Sequence, residues 1–174
     1  GTVTRFGNGI EIYGGCDGYT VEDCYIYQCY DAGITHQITT GGKKYTMTDV
    51  LYQNNLVEYC VYSIEYFLEM NNGDTESYMD GIEMSGNILR HSGYGWGQQR
   101  HNTHTPAHIK GWSYTNKASN YAVHDNLYDR AAYRMLHLVA EKTDAIMEAS
   151  IAGLRGGMGR LSYWEQARPA WIST

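Results

Sequence analysis

Four stretches of this chain align with one another without gaps: residues 21–34 (VEDCYIYQCYDAGI), 51–64 (LYQNNLVEYCVYSI), 83–96 (EMSGNILRHSGYGW) and 122–135 (AVHDNLYDRAAYRM). An apolar residue recurs at Ile26, Leu56, Ile88 and Leu127, and another stands eight residues later at Ile34, Ile64, Trp96 and Met135. Asn55, Asn87 and Asn126 share a column that Tyr25 occupies in the first copy, and the period runs 30, 32 and 39 residues. A unit of about 30 residues cannot bury its own apolar face, so such units stack on their neighbours. Within the units the pattern is short alternation, as in Gly9-Ile-Glu-Ile-Tyr13 and Thr20-Val-Glu-Asp-Cys-Tyr-Ile-Tyr27, which reads as half-buried strand. The expectation is an all-β solenoid in which each strand pairs with its copy one coil above and below. The asparagine column would lie at a bend, its amide bonding the next coil's backbone or its own. Residues 39–45, 70–78 and 98–117 would project from the bends as insertions. The period gives about five coils in one domain, 1–174, with the Gly-rich 149–174 as a last coil or C-terminal cap. The competing reading is a local helix over 128–152, where the periodicity is ambiguous.

Composition narrows the function. The net charge of −6 lacks the basic face that phosphate binding needs, so nucleic acid is not an expected partner. No apolar run approaches the roughly 20 residues of a membrane span. The chain has 17 Tyr against 2 Phe, so most of its large side chains keep a polar tip. The tyrosine columns read as stacking ladders. Cys16, Cys24, Cys29 and Cys60 show no C-x-x-C pair and no zinc-finger histidine spacing, and read as small buried hydrophobes. Four unpaired thiols suit a reducing compartment or an anaerobe, and the compartment stays open.

Gly9-Ile-x-Ile, Thr20-Val-x-Asp-Cys-x-Ile, Gln53-Asn-Asn-Leu and Ser85-Gly-Asn-Ile-Leu resemble right-handed parallel β-helix repeats of the pectate-lyase-like superfamily, over roughly residues 5–140. The resemblance implies a right-handed single-stranded parallel β-helix and a carbohydrate-active protein. The stretch 86–97 with His108-Ile-Lys-Gly-Trp112 resembles bacterial β-helix proteins described as glycosidase-like. Five coils are few for a catalytic member, and an uncapped first coil would expose sheet edges. The expectation is therefore a fragment of a longer helix. The characterised signatures are missing: the only Arg-Pro is Arg168-Pro169 at the tail, and only His108-Ile-Lys110 resembles one element of the polygalacturonase set. No catalytic residue is carried over from the resemblance.

Placement by the repeat supplies candidates instead. With Ile10, Ile34, Ile64, Trp96 and Met135 inward, the outward rows are Glu11, Thr35, Glu65, Gly97, Leu136, then Tyr13, Gln37, Phe67, Gln99, Leu138, and then Gly15, Thr39, Glu69, His101, Ala140. Glycoside hydrolysis needs two carboxyl groups, roughly 5–5.5 Å apart for retention and about 6.5–9.5 Å for inversion. Glu65, Glu69 and Asp80 form the expected pool for acid and base. Residues 98–112 gather Arg100, His101, His104, His108 and Lys110 between Trp96 and Trp112. The tryptophans would stack on sugar rings. Arg100, His104, His108 and Lys110 would bind substrate, and His101 would be a catalytic base if the enzyme were a lyase on acidic glycans. No metal or other cofactor is expected: three loop histidines are weak as a metal site, and Asn71-Asn-Gly-Asp-Thr-Glu76 reads as a turn before it reads as a calcium loop. The reading is a glycoside hydrolase-like protein whose partner is a carbohydrate. The alternatives are a polysaccharide lyase and a non-catalytic glycan-binding, adhesin or tailspike-like module, with oligomers allowed.

Overall fold

A chain that must bend three times in every thirty residues needs residues that tolerate left-handed backbone, and they recur here at three fixed places. The computed structural model describes residues 7–41, 44–71, 76–96, 98, 105–113, 118–140 and 143–144. Positive φ falls at Gly18, Asp49, Gly81 and Asn120, at Asp23, Asn54, Gly86 and Asp125, and at Gln28, Tyr59, His91 and Arg130. Gly, Asn and Asp fill the first two rows because they enter this region most easily. The third row does not use them.

The first row interrupts strands from within and the second separates one strand from the next; fourteen strands fall among the described residues. In chain order they are β1 (Ile10–Tyr13), β2 (Cys16–Glu22), β3 (Tyr25–Tyr27), β4 (Ala32–Gly41), β5 (Thr46–Gln53), β6 (Leu56–Glu58), β7 (Tyr62–Asn71), β8 (Tyr78–Ser85), β9 (Ile88–Ser92), β10 (Ala107–Ser113), β11 (Ala118–His124), β12 (Leu127–Ala131), β13 (Arg134–Ala140) and β14 (Thr143–Asp144). They form three sheets: A, β1-β4-β7-β10-β13; B, β2-β5-β8-β11-β14; and C, β3-β6-β9-β12. Every pairing is parallel. The chain visits A, B and C in turn and returns to each sheet one place further along, so consecutive passes stack as coils. The helix expected as an alternative over 128–152 is overturned for the described part, because β12 and β13 occupy it.

The asparagine column binds the coils at the bend from B to C. Asn55 Oδ1 accepts from the Cys24 N–H, Asn87 Oδ1 from the Asn55 N–H, and Asn126 Oδ1 from the Asn87 N–H, at 2.9–3.0 Å. The same amides donate in series, Asn55 Nδ2 to Asn87 Oδ1 and Asn87 Nδ2 to Asn126 Oδ1. Each also donates inward to a carbonyl, of Val21, Tyr52 or Met84 respectively. All three asparagines are buried. The first-coil member is Cys24, not Tyr25.

Three corrections of register follow. Tyr25 pairs with Leu56, so the row Tyr25, Leu56, Ile88, Leu127 lies on the outside of sheet C, and the core row is Ile26, Val57, Leu89, Tyr128. In the fourth coil the place expected for Trp96 belongs to Ile109, which pairs with Ile64. Trp96 instead lies in the bend after β9, more than half exposed. In the fifth coil Leu136, not Met135, pairs with Ile109.

The interior is mainly apolar, with the asparagine ladder and the buried histidines His36 and His108 set into it. Ile34, Ile64 and Ile109 of sheet A and Val50, Ile82 and Val123 of sheet B belong to one buried cluster. Beneath them His36 accepts at Nδ1 from Tyr52 Oη at 3.1 Å and faces Tyr121 Oη at 3.0 Å through Nε2. Tyr121 donates to Met79 Sδ, which assigns the ring proton to Nε2. Tyr66 stacks on the same imidazole and takes the space a side chain at position 111 would need, since a Cβ on Gly111 would lie 2.1 Å from its ring. Burial holds both His36 and His108 down at about 3, with nearby His91 adding a smaller push at His108. Against the ordinary 6.5 of a solvated imidazole, the unfolded chain binds more protons than the folded chain throughout the intervening range. Stability is therefore full above pH 6.5 and falls as the pH is lowered. Urea midpoints followed from pH 7 to 5 should show that decline, by about 1.4 kcal/mol per pH unit for each histidine, and His36→Gln should remove one histidine's share of the slope.

Candidate functional site

The outward face of sheet A brings a buried ion pair, an imidazole and two stacked rings together. Alternation sends Ile64, Tyr66 and Leu68 of β7 into the core, so Glu65 and Phe67 point out. Strand pairing continues the rows across coils: Glu11, Thr35, Glu65, Lys110, His137, and then Tyr13, Gln37, Phe67, Trp112, Val139. Residues as far apart in sequence as Thr35 and Lys110 become next-but-one neighbours in space.

Glu65 and Lys110 form the centre. Lys110 Nζ lies 2.7 Å from Glu65 Oε1, with both side chains almost fully buried. The other carboxylate oxygen, Oε2, accepts from Thr35 Oγ1 and from Gln37 Nε2, each at 3.4 Å. The lysine ammonium also lies over two rings, 4.2 Å from the centroid of Tyr62 and 5.5 Å from that of Trp112. Beside the pair, Phe67 and Trp112 stack with their planes 15° apart and centroids separated by 6.3 Å. His137 follows Lys110 in the row, and burial first, then Arg134 and Lys110, holds its imidazole down at about 4. The face thus combines a cation-paired carboxylate, a neutral imidazole at neutral pH and two near-parallel stacked aromatic rings. It can stack on the apolar face of a ring and hold a base or nucleophile beside it.

Of the residues expected from sequence, Glu65, Lys110 and Trp112 come together here. Glu69 also lies on β7, and its side chain lies outside the described residues. Four positions along a strand place it about 13 Å from Glu65, beyond the separation of a hydrolase pair. Asp80 lies on sheet B, where its Oδ1 accepts from Ser119 Oγ and from Asn120 Nδ2 at 2.7 Å. It is on a different sheet from Glu65. His108 is wholly buried, with Nδ1 bonded to Ser92 and Ser63, so its side chain is not on the outward face expected for a substrate-binding residue. Trp96 sits in the bend after β9, its N–H donating to Gln28 Oε1, and not on the sheet A face. Arg100, His101 and His104 lie outside the described residues, as does most of the turn read as a possible calcium loop.

Sequence reasoning did not nominate Tyr62, Gln37, Phe67 or His137. Gln37 and Phe67 already stood in the outward row, so that row was the available signal. Tyr62 and His137 required the true position of β10. No family model, no curated protein and no solved structure matches this chain.

The pair makes an energetic prediction. Lys110→Met should cost about 3–5 kcal/mol, because it strands a buried carboxylate, whereas Glu65→Leu combined with Lys110→Met should fold within about 1–2 kcal/mol of the parent. Chemical denaturation of the two variants measures both. Equal losses would show that the carboxylate is not stranded by the single change.

Proposed function

We propose that this chain is a carbohydrate-active, right-handed parallel β-helix protein of the pectate-lyase-like kind, and that it hydrolyses glycosidic bonds on the outer face of sheet A. The observation that carries the reading is the Glu65 carboxylate, ion-paired and set beside the stacked rings of Phe67 and Trp112. Stacked rings hold sugars by their apolar faces, and the carboxylate beside them meets the bond to be cleaved. Pairing with Lys110 sets Glu65 in a site that suits the general base and not the acid.

The acid comes from the same row. Glu11 lies two coils from Glu65 across Thr35. At about 4.8 Å per coil the backbones are roughly 9.6 Å apart, near the wide spacing that admits a water and inverts the anomeric centre. Glu11 is exposed, with one oxygen accepting from Asn8 Nδ2, and is free to reach over a bound sugar.

One observation favours a second reading. A cation touching a base is also what a lyase on acidic glycans requires: the base takes the proton alpha to a carboxylate, and the cation stabilises the enolate. Lys110 beside Glu65 meets that description. The net charge of −6 weighs against a polyanionic substrate.

The test is a panel of neutral and acidic glycans read for new reducing ends and for the absorbance of unsaturated uronates. The hydrolase produces reducing ends without the absorbance. Glu65→Gln should lower the rate roughly a thousandfold while glycan retention on the protein survives, and Asp80→Asn should leave the rate within about twofold. Absorbance on acidic glycans moves the assignment to the lyase. Full activity in Glu65→Gln removes Glu65 from the chemistry, and retention without turnover makes the face a binding site.

A further inference from the structure

We infer that Cys29 and Cys60 are a disulfide-forming pair, a redox modification site that clips the first coil to the second. The inference is independent of the glycan site.

The two cysteines hold one position on successive coils. Tyr27 pairs with Glu58 at the ends of β3 and β6. The next residues, Gln28 and Tyr59, are both left-handed, with φ of 58° and 59°, and the cysteines follow them. Their side chains point the same way: Cys29 Sγ donates to Tyr27 O, and Cys60 Sγ to Glu58 O, each two residues back. Both pack against glycines, Gly9 just before β1 and Gly33 in β4: a Cβ on Gly9 would lie 2.8 Å from Cys29 Sγ and one on Gly33 3.3 Å from Cys60 Sγ. Equivalent positions on adjacent parallel strands are about 4.8 Å apart, inside the Cα range that a disulfide spans. In the next coils this position is Ser92 and then Ala131, so the pair is confined to the first two. Cys24 lies before β3, its thiol turned to Glu22 O, and Cys16 lies in sheet B.

The two thiols also divide the roles of exchange. Cys60 is buried and Cys29 only partly so. Each thiol is the main influence on the other, pushing Cys29 down and Cys60 up. Cys29 is therefore the reachable nucleophile and Cys60 the resolving thiol. The Cys29 thiolate attacks one sulfur of a low-molecular-weight disulfide and expels a thiolate. Cys60, giving its proton to that thiolate, then attacks Cys29 Sγ and expels the second half of the reagent. Two protein thiols lose two electrons to become one disulfide, and the reagent becomes two thiols. The clip closes just ahead of β4, the strand that brings Thr35 and Gln37 to Glu65.

The experiment treats the reduced full chain with glutathione disulfide, then counts thiols in denaturant and maps linked peptides. The four cysteines should fall to two titratable thiols. A Cys29–Cys60 peptide should appear, a reductant should reverse it, and the melting temperature should rise by about 5–10 °C. Cys24→Ser should still form the link, and Cys29→Ser should not. Four thiols remaining, a link between other cysteines, or glutathione left on Cys29 without an internal bond would each overturn the proposal.

Discussion

The asparagine ladder is the interaction on which the remaining geometry depends. Asn55, Asn87 and Asn126 each bond the coil before, and each turns its amide inward to a carbonyl on the sheet B strand of that coil. Stacked apolar side chains alone would tolerate a slide of one coil against another, because dispersion contacts have little direction. A buried amide does not tolerate it, since a slip leaves donors and acceptors unpaired at roughly 1–3 kcal/mol apiece. The left-handed residue just before each asparagine, Asn54, Gly86 or Asp125, turns the chain so that the amide faces the stack. Register is thus specified by polar groups at a corner, and the sheets inherit it.

Sheet A converts that register into chemistry. Glu65 meets Lys110 because β7 and β10 pair with Ile64 opposite Ile109. A shift by one residue would send both charges into the core and turn the isoleucines to solvent, so the buried pair and the apolar interior reinforce one another. Gly111 belongs to the same arrangement. Without a side chain there, Tyr66 can fill the space between His36 and Tyr121, and β10 can lie flat enough to present Lys110 and Trp112 side by side.

The first three coils of sheet A were legible from their strict alternation, although Ile10, Ile34 and Ile64 are 24 and 30 residues apart: the isoleucines face in, and Glu11, Thr35 and Glu65 share a row. The fourth coil was not, because residues 93–106 intervene before β10, and an ungapped alignment ran onto Trp96. Ile109, Lys110 and Trp112 carry the same alternation as Ile64, Glu65 and Phe67, but only the length of the intervening segment reveals it. A smaller slip arose at the corner from C to A, where Tyr25 to Ile34 takes nine residues and Leu56 to Ile64 takes eight. One unequal corner shifted Ile26 against Leu56 and turned an outward row into an expected core. The buried position of His108 was missed for a related reason. Its neighbours in sequence are loop-like and basic, whereas its partners Ser63 and Ser92 are supplied by other coils.

The claim that matters most is that a glycan lies on sheet A and nowhere else on the stack. The protein also exposes Tyr25 and Tyr27 on sheet C and Trp96 in the bend after β9, a second aromatic surface that could compete for sugars. Radical footprinting read by mass spectrometry, with and without a retained oligosaccharide, separates them directly. The account predicts protection at Tyr13, Phe67 and Trp112, with Tyr25, Tyr27 and Trp96 unchanged. Protection of Tyr25, Tyr27 and Trp96 with Phe67 and Trp112 unchanged would contradict it.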